Sequence, residues 1–197
     1  MIRVVTFDLW DTIIHDDSDE TKRENQGLRN KREERRYLLW DALNRQHPIS
    51  REKVWLACDS SDAAFTRAWH KRSVTWTVRH RIGVVLEILG RGLPEDEFVQ
   101  IVRDYEEMEL KIAPDIIEGA ADSVRDLAND FRLAVVSDAI VSPGRCLRQW
   151  LKLHDLFDCF QSFAFSDEVG HSKPHPDMFS KVAGDLEVPF KNMIHVG

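Results

Sequence analysis

The sequence predicts an α/β protein with a doubly wound parallel-sheet core and an all-helical second domain. Three observations predict it. "IRVVTFD" (2–8), "RLAVVSD" (132–138), "SFAFSD" (162–167) and "NMIHVG" (192–197) are short, almost continuously apolar β-rich runs, the composition of strands covered on both faces. Helical periods stand between the later runs, which is βαβ grammar. More than a hundred residues separate the first run from the second, whereas a parallel crossover needs only about a dozen, and that stretch is itself helical in period.

The elements follow in chain order. The first strand leads into a polar link at Asp17 to Thr21. Tyr37, Trp40 and Leu43 then mark one helix face, and Phe98, Ile101, Val102, Tyr105 and Met108 mark another after the start signal at Pro94. A proline-bearing link at Pro114 ends this insert, so residues 18–113 form the helical domain, and residues 1–17 with 114–197 form the α/β core. Ala120, Val124, Leu127 and Ala128 give the helix before the second strand. Ser142 before Pro143 reads as an N-cap followed by proline at the first helical position, opening a helix with Leu147, Trp150 and Leu151 on its apolar face. Phe179, Val182, Ala183 and Leu186 supply the helix between the third and fourth strands.

Composition excludes several classes of function. The 197 residues carry a formal charge of −7, which argues against bulk nucleic-acid binding. The longest apolar runs, such as "LAVV" (133–136) and "VVLEIL" (84–89), fall far short of the roughly 20 residues that span a bilayer, so no membrane association is expected. The N-terminus enters a strand pattern at once, without the features of a secretory signal, so a cytoplasmic location is expected. Cys58, Cys146 and Cys159 are odd in number and lack CxxC spacing, which suits reduced, mostly buried thiols.

In open α/β sheets ligands bind beyond the carboxyl ends of the strands. Asp8 ends the first run, Ser137 and Asp138 the second, and Asp167 the third, and "EVGHSKPHP" after it delivers Lys173. A carboxylate, a hydroxyl and an ammonium from separate segments thus converge on one crevice. An aspartate can act as a covalent nucleophile that divides one hard displacement into two easier ones. At about 4 Å and an effective dielectric near 20, the lysine would favour the charged carboxylate by about 4 kcal/mol.

These residues resemble the haloacid dehalogenase (HAD) superfamily of hydrolases, whose core is Rossmann-like. "FDLWDT" (7–12) is similar to its first motif, "VVSDA" (135–139) to its second and "SDEVGHSKPHP" (166–176) to its lysine-bearing third, and the helical insert matches its cap. The resemblance implies a hydrolase with Asp8 as nucleophile and a covalent aspartyl intermediate. It implies that Ser137 and backbone N–H groups hold substrate oxygens, with Asp138 and Thr12 as further substrate-binding residues, and that Lys173 stabilises the carboxylate and the bound anion. It also implies Mg²⁺ held by Asp8, the Trp10 backbone carbonyl and an acid after the fourth strand.

The motifs depart from the family pattern twice. Its phosphatases carry a second acid two residues after the nucleophile, where this chain has Trp10. General acid–base help is worth about 10²–10⁴ in rate, so Asp11 is a candidate acid/base if the turn rotates it inward; otherwise it bonds its own turn. The sequence also stops at Gly197, before the family's fourth, metal-binding motif. The expectation is a piece of a longer product that holds Mg²⁺ weakly, with an inactive relative as the alternative. The edge of the fourth strand is then free to pair, a route to a homodimer.

Among other residues, His171 and His175 flank Lys173, and a solvated-loop or helix-capping role is expected of them rather than metal binding. In "RAWHKRSVTWTVRHR" (67–81) the basic side chains around Trp69 and Trp76 read as a solvated helix face with buried tryptophans, with a cluster that holds an anionic substrate against the core pocket as the alternative. The expected substrate is a small anion, a phosphorylated metabolite first and a haloacid second. A non-catalytic or phospho-aspartate binding module is the alternative from another class.

Overall fold

The computed structural model describes all 197 residues, Met1–Gly197. Its elements run β1 (Val4–Phe7), α1 (Ser18–Asn25), α2 (Lys31–Gln46), α3 (Arg51–Arg72), α4 (Val78–Leu89), α5 (Glu95–Glu106), α6 (Met108–Lys111), α7 (Ala120–Asp130), β2 (Arg132–Ser137), α8 (Gly144–Leu153), β3 (Phe160–Phe165), α9 (Ser166–Val169), α10 (Pro176–Asp185) and β4 (Met193–Val196). The strands form one parallel sheet in the order β3-β2-β1-β4, with Val5 opposite Leu133 on one side and Ile194 on the other.

The two-residue period of the strands divides the core between two layers. Val5 and Phe7 of β1 face one layer with Leu133, Val135, Leu147, Trp150, Leu151 and Phe165, closed by α7 and α8. Val4, Ala134, Val136 and Ala164 face the other with Met178 and Val182 of α10. No helix is long and apolar enough to cross a membrane.

The helices between β1 and β2 enclose a core of their own, in which Leu39, Leu43, Val54, Val78, Ile82, Val85 and Ile101 are buried. Local chemistry sets their ends. Asn30 caps α2 by accepting the Glu33 amide at 2.8 Å, and Thr77 caps α4 by accepting that of His80 at 3.2 Å. The links to the sheet hydrogen-bond each other: the amides of His15 and Ile117 donate to the carbonyls of Asp115 and Ile13, both at 2.9 Å.

Three expectations are corrected. β3 lies at Phe160–Phe165 rather than 162–167, because Ser166 and Asp167 already turn into α9. Asp167 therefore does not project from a strand end; its carboxylate accepts the Gly144 amide at 3.1 Å, at the start of α8. Ser142 is not the N-cap of α8. Pro143 occupies that place, and the Ser142 hydroxyl donates instead to the Glu109 carboxylate. Gly144 is required there, since a Cβ would stand 2.5 Å from the Phe165 ring.

Candidate active site

Asp8 directly follows β1, and its backbone amide donates to the Val196 carbonyl of β4 at 2.9 Å. This bond continues the sheet by one residue, so Asp8 stands at the carboxyl end of an interior strand. Ser137 ends β2 and donates to Asp8 Oδ1 at 2.6 Å, and the Leu9 amide donates to the same oxygen at 2.8 Å. Lys173 Nζ lies 2.5 Å from Asp8 Oδ2, with both side chains 20% exposed. Three segments far apart in sequence thus converge on one carboxylate.

The loop that carries Lys173 is held from two sides. Asp138 accepts the Lys173 amide at 2.9 Å, and burial, opposed by that bond, raises the Asp138 carboxyl. From the helical domain the Ser73 carbonyl accepts the Ser172 amide at 2.9 Å, and Val74 forms an antiparallel bridge with His171. The inserted helices are therefore tied by backbone bonds to the segment bearing the lysine.

A cavity of about 420 Å³ opens above Asp8. The core lines it with Asp8, Trp10, Asp16, Asp138 and Val141, and the helical domain adds Lys31, Arg35, Trp69 and Glu109. Lys31, only 4% exposed, contacts Asp19 at 2.8 Å, Glu109 at 3.0 Å and Asp17 at 3.1 Å. Burial alone would lower the Lys31 ammonium, but Glu109 and Asp19 outweigh it and raise it.

Asp11 does not stand in for the acid that Trp10 displaces. Its φ of 51° places it in the left-handed region, where Asp is among the few tolerated side chains, and its Oδ1 accepts the Asp16 amide at 3.1 Å. That bond holds the loop whose next acid, Asp16, reaches the cavity rim. Desolvation at the rim, followed by the adjacent Asp17 charge, raises the Asp16 carboxyl above its ordinary range. Thr12 faces a separate hollow with Phe7, Ile117 and Val196, so it is not positioned to bind substrate in the Asp8 cavity.

Several site residues were not identified from sequence. Asp16 stands five residues after Asp11, and its signal was a third carboxylate beyond a tight turn. Lys31, Arg35 and Glu109 gave no local signal, because only helix packing brings them over the sheet. His175 caps α10 by accepting the Asp177 amide at 3.3 Å and stacks on His171 with ring centroids 3.7 Å apart, as capping predicted. Arg67, His70, Lys71, Arg72, Arg79 and His80 are exposed, whereas Trp69 is in the cavity rather than buried in the helical core.

Mg²⁺ is a hard cation that takes about six oxygens, including carboxylates and water. Asp8 offers a carboxylate at the carboxyl end of β1, and no backbone amide is bonded to the Trp10 carbonyl. These donors fit the ion in kind and provide part of its shell.

A family model for haloacid dehalogenase-like hydrolases matches residues 2–197. No curated protein matches. Among solved structures, a 2-haloacid dehalogenase from Pseudomonas syringae pv. Tomato is similar at a TM-score of 0.62 and 22% identity, covering 100% of this chain and 78% of that one. A HAD phosphatase from Thermococcus onnurineus gives 0.57 and 20%, covering 100% and 77%. A HAD-hydrolase from Bacillus subtilis bound to magnesium gives 0.54 and 20%, covering 98% and 77%. At these identities the structural likenesses show the fold.

Proposed function

This chain belongs to the haloacid dehalogenase-like hydrolases, and we propose that within that family it hydrolyses small phosphate monoesters through a covalent aspartyl intermediate on Asp8. The observation that carries the proposal is the convergence of Ser137 and Lys173 on the two oxygens of Asp8, at 2.6 and 2.5 Å. An Asp8 oxygen attacks phosphorus, the ester oxygen departs, and Ser137 and Lys173 hold the remaining phosphoryl oxygens. Asp16, with its raised carboxyl, gives a proton to the departing oxygen and then takes one from the water that attacks the phospho-aspartate. Phosphate leaves, and Asp8 is regenerated. Mg²⁺, held by Asp8 and the Trp10 carbonyl, would offset the charge of the phosphoryl oxygens against the acids around the cavity. The magnesium-bound relative supports this choice of metal.

A second reading rests on Trp10. An indole beside the nucleophile, with Trp69, Ile140 and Val141 nearby, suits displacement of halide from carbon, and a halide leaves without a proton. The dehalogenase among the similar structures supports it. A panel of small phosphomonoesters and 2-haloacids separates the two. The first reading expects phosphate release that requires Mg²⁺ and Asp16; halide release independent of both would replace it with the second.

A further inference from the structure

A second cavity, of about 120 Å³, lies inside the helical domain between α2, α3, α4 and α5, and shares Arg35 and Val141 with the cavity over Asp8. Its walls combine apolar side chains, Leu39, Val78, Ile82 and Val85 among them, with four arginines and a single carboxylate, that of Asp62. Three arginines are already paired. Arg32 contacts Asp59 at 2.9 Å, Arg36 contacts Asp59 at 2.5 Å, and Arg81 contacts Asp62 at 2.7 Å.

Arg35 is the exception. Its side chain is 14% exposed, and its nearest acid, Glu109, is 3.8 Å away and engaged by Lys31 at 3.0 Å. One buried guanidinium nitrogen of Arg35 has no hydrogen-bond partner. Burial, opposed by Glu109, pulls this guanidinium below the ordinary arginine value, so the charge is held here with less compensation than its neighbours have. Burial likewise pushes the Cys58 thiol up to about 11, which keeps that part of the wall neutral. The Arg35 Nε donates to the Tyr105 carbonyl at 3.4 Å, and a buried guanidinium with one nitrogen unpaired beside an apolar hollow is what a carboxylate on an apolar body would complete.

We propose that this cavity is a second binding site, for a small aromatic or short aliphatic carboxylate whose charged end meets Arg35 and whose apolar body fills the hollow between α3 and α4. All of its lining except Val141 comes from the helical domain, and Asp8, Ser137 and Lys173 do not line it.

The test is an amide NMR titration of the whole chain with benzoate, and with benzyl alcohol as the uncharged control. Saturable shifts are expected at Leu39, Cys58 and Val85, with benzoate bound about tenfold tighter or more, as a charge-assisted hydrogen bond provides. Arg35→Met should erase that preference, and the comparison of the two probes on the unaltered chain decides the matter even if the variant misfolds. No shift at millimolar benzoate, shifts confined to Asp8, Ser137 and Asp138, or equal affinity for the two probes would each overturn the proposal. para-Carboxyphenyl phosphate separates the sources of the anion. Shifts at both cavities in one saturable event assign the carboxylate to the far end of a substrate, and shifts in the helical cavity alone assign it to a free ligand; both keep the carboxylate site.

Discussion

The Asp11 carboxylate accepts the Asp16 amide at 3.1 Å, and this bond holds the turn that brings Asp16 to the rim of the cavity above Asp8. Trp10 occupies the position where the family's phosphatases carry an acid. On the present account Asp16 supplies that proton from six residues further along, and Asp11 positions it.

Asp16→Asn is therefore expected to lower kcat by about 10²–10⁴-fold while leaving the fold intact. Asp16 must be protonated to serve the leaving oxygen, so kcat in the unaltered chain falls as pH rises through its raised carboxyl, and the variant loses that descending limb. Asp11→Ala misplaces the acid and should cost up to about 10²-fold, with the limb retained. Steady-state pH profiles of the three proteins check this. Unchanged kcat in Asp16→Asn would remove it from the mechanism.

Lys173→Met is expected to reduce kcat/KM by about 10²–10³-fold, the cost of deleting one preorganised donor to the reacting group. Lys173→Arg should not restore it, since a planar fork cannot replace a point charge 2.5 Å from Asp8. Circular dichroism of both variants should match the unaltered chain, because the side chain is only partly buried.

Asp8 and Ser137 were legible in the sequence because each stands at or just beyond the carboxyl end of an apolar run, and a parallel sheet places such ends side by side; Lys173 was legible through the loop that follows the third run. The opposite face of the site was not legible. Lys31, Arg35, Trp69 and Glu109 lie on helices whose periods report only which side faces the local core; how those helices sit over the sheet depends on bonds such as Ser172 to Ser73, which have no sequence signature. Asp11 was ambiguous for a related reason. Whether it points inward depends on a left-handed φ of 51°, a property of the turn rather than of the residue. Ser142 looked like an N-cap because the local rule was satisfied, but Glu109 from the inserted helices competes for its hydroxyl.

Lys31→Met should destabilise the chain by about 3–5 kcal/mol, since it leaves Asp19 and Glu109 as uncompensated charges in a buried site. Adding Asp19→Asn and Glu109→Gln should recover much of that loss, a coupling that urea denaturation midpoints will read directly. Additive losses would show that the cluster acts through packing instead.

Asp167 gives a stability prediction with a defined sign. Burial, opposed by the Gly144 amide, raises its carboxyl from 3.8 to about 6. The folded state then binds the proton more tightly than the unfolded state, so this contribution is fully present below pH 3.8 and is lost as pH rises through about 6. The shift from 3.8 to about 6 corresponds to a contribution on the order of 1–3 kcal/mol. Asp167→Asn, which keeps an acceptor for Gly144, should flatten the dependence of unfolding free energy on pH over this window. An unchanged slope would place the proton elsewhere.

The most direct test of the account is to quench the chain with acid during turnover of a small phosphomonoester with Mg²⁺ and to search its peptides by mass spectrometry for a phosphoryl group. The account predicts the adduct on the peptide bearing Asp8, labile to hydroxylamine and absent from Asp8→Asn, which should also release no phosphate. Phosphate release that persists in Asp8→Asn, with no adduct on that peptide in the unaltered chain, would contradict it.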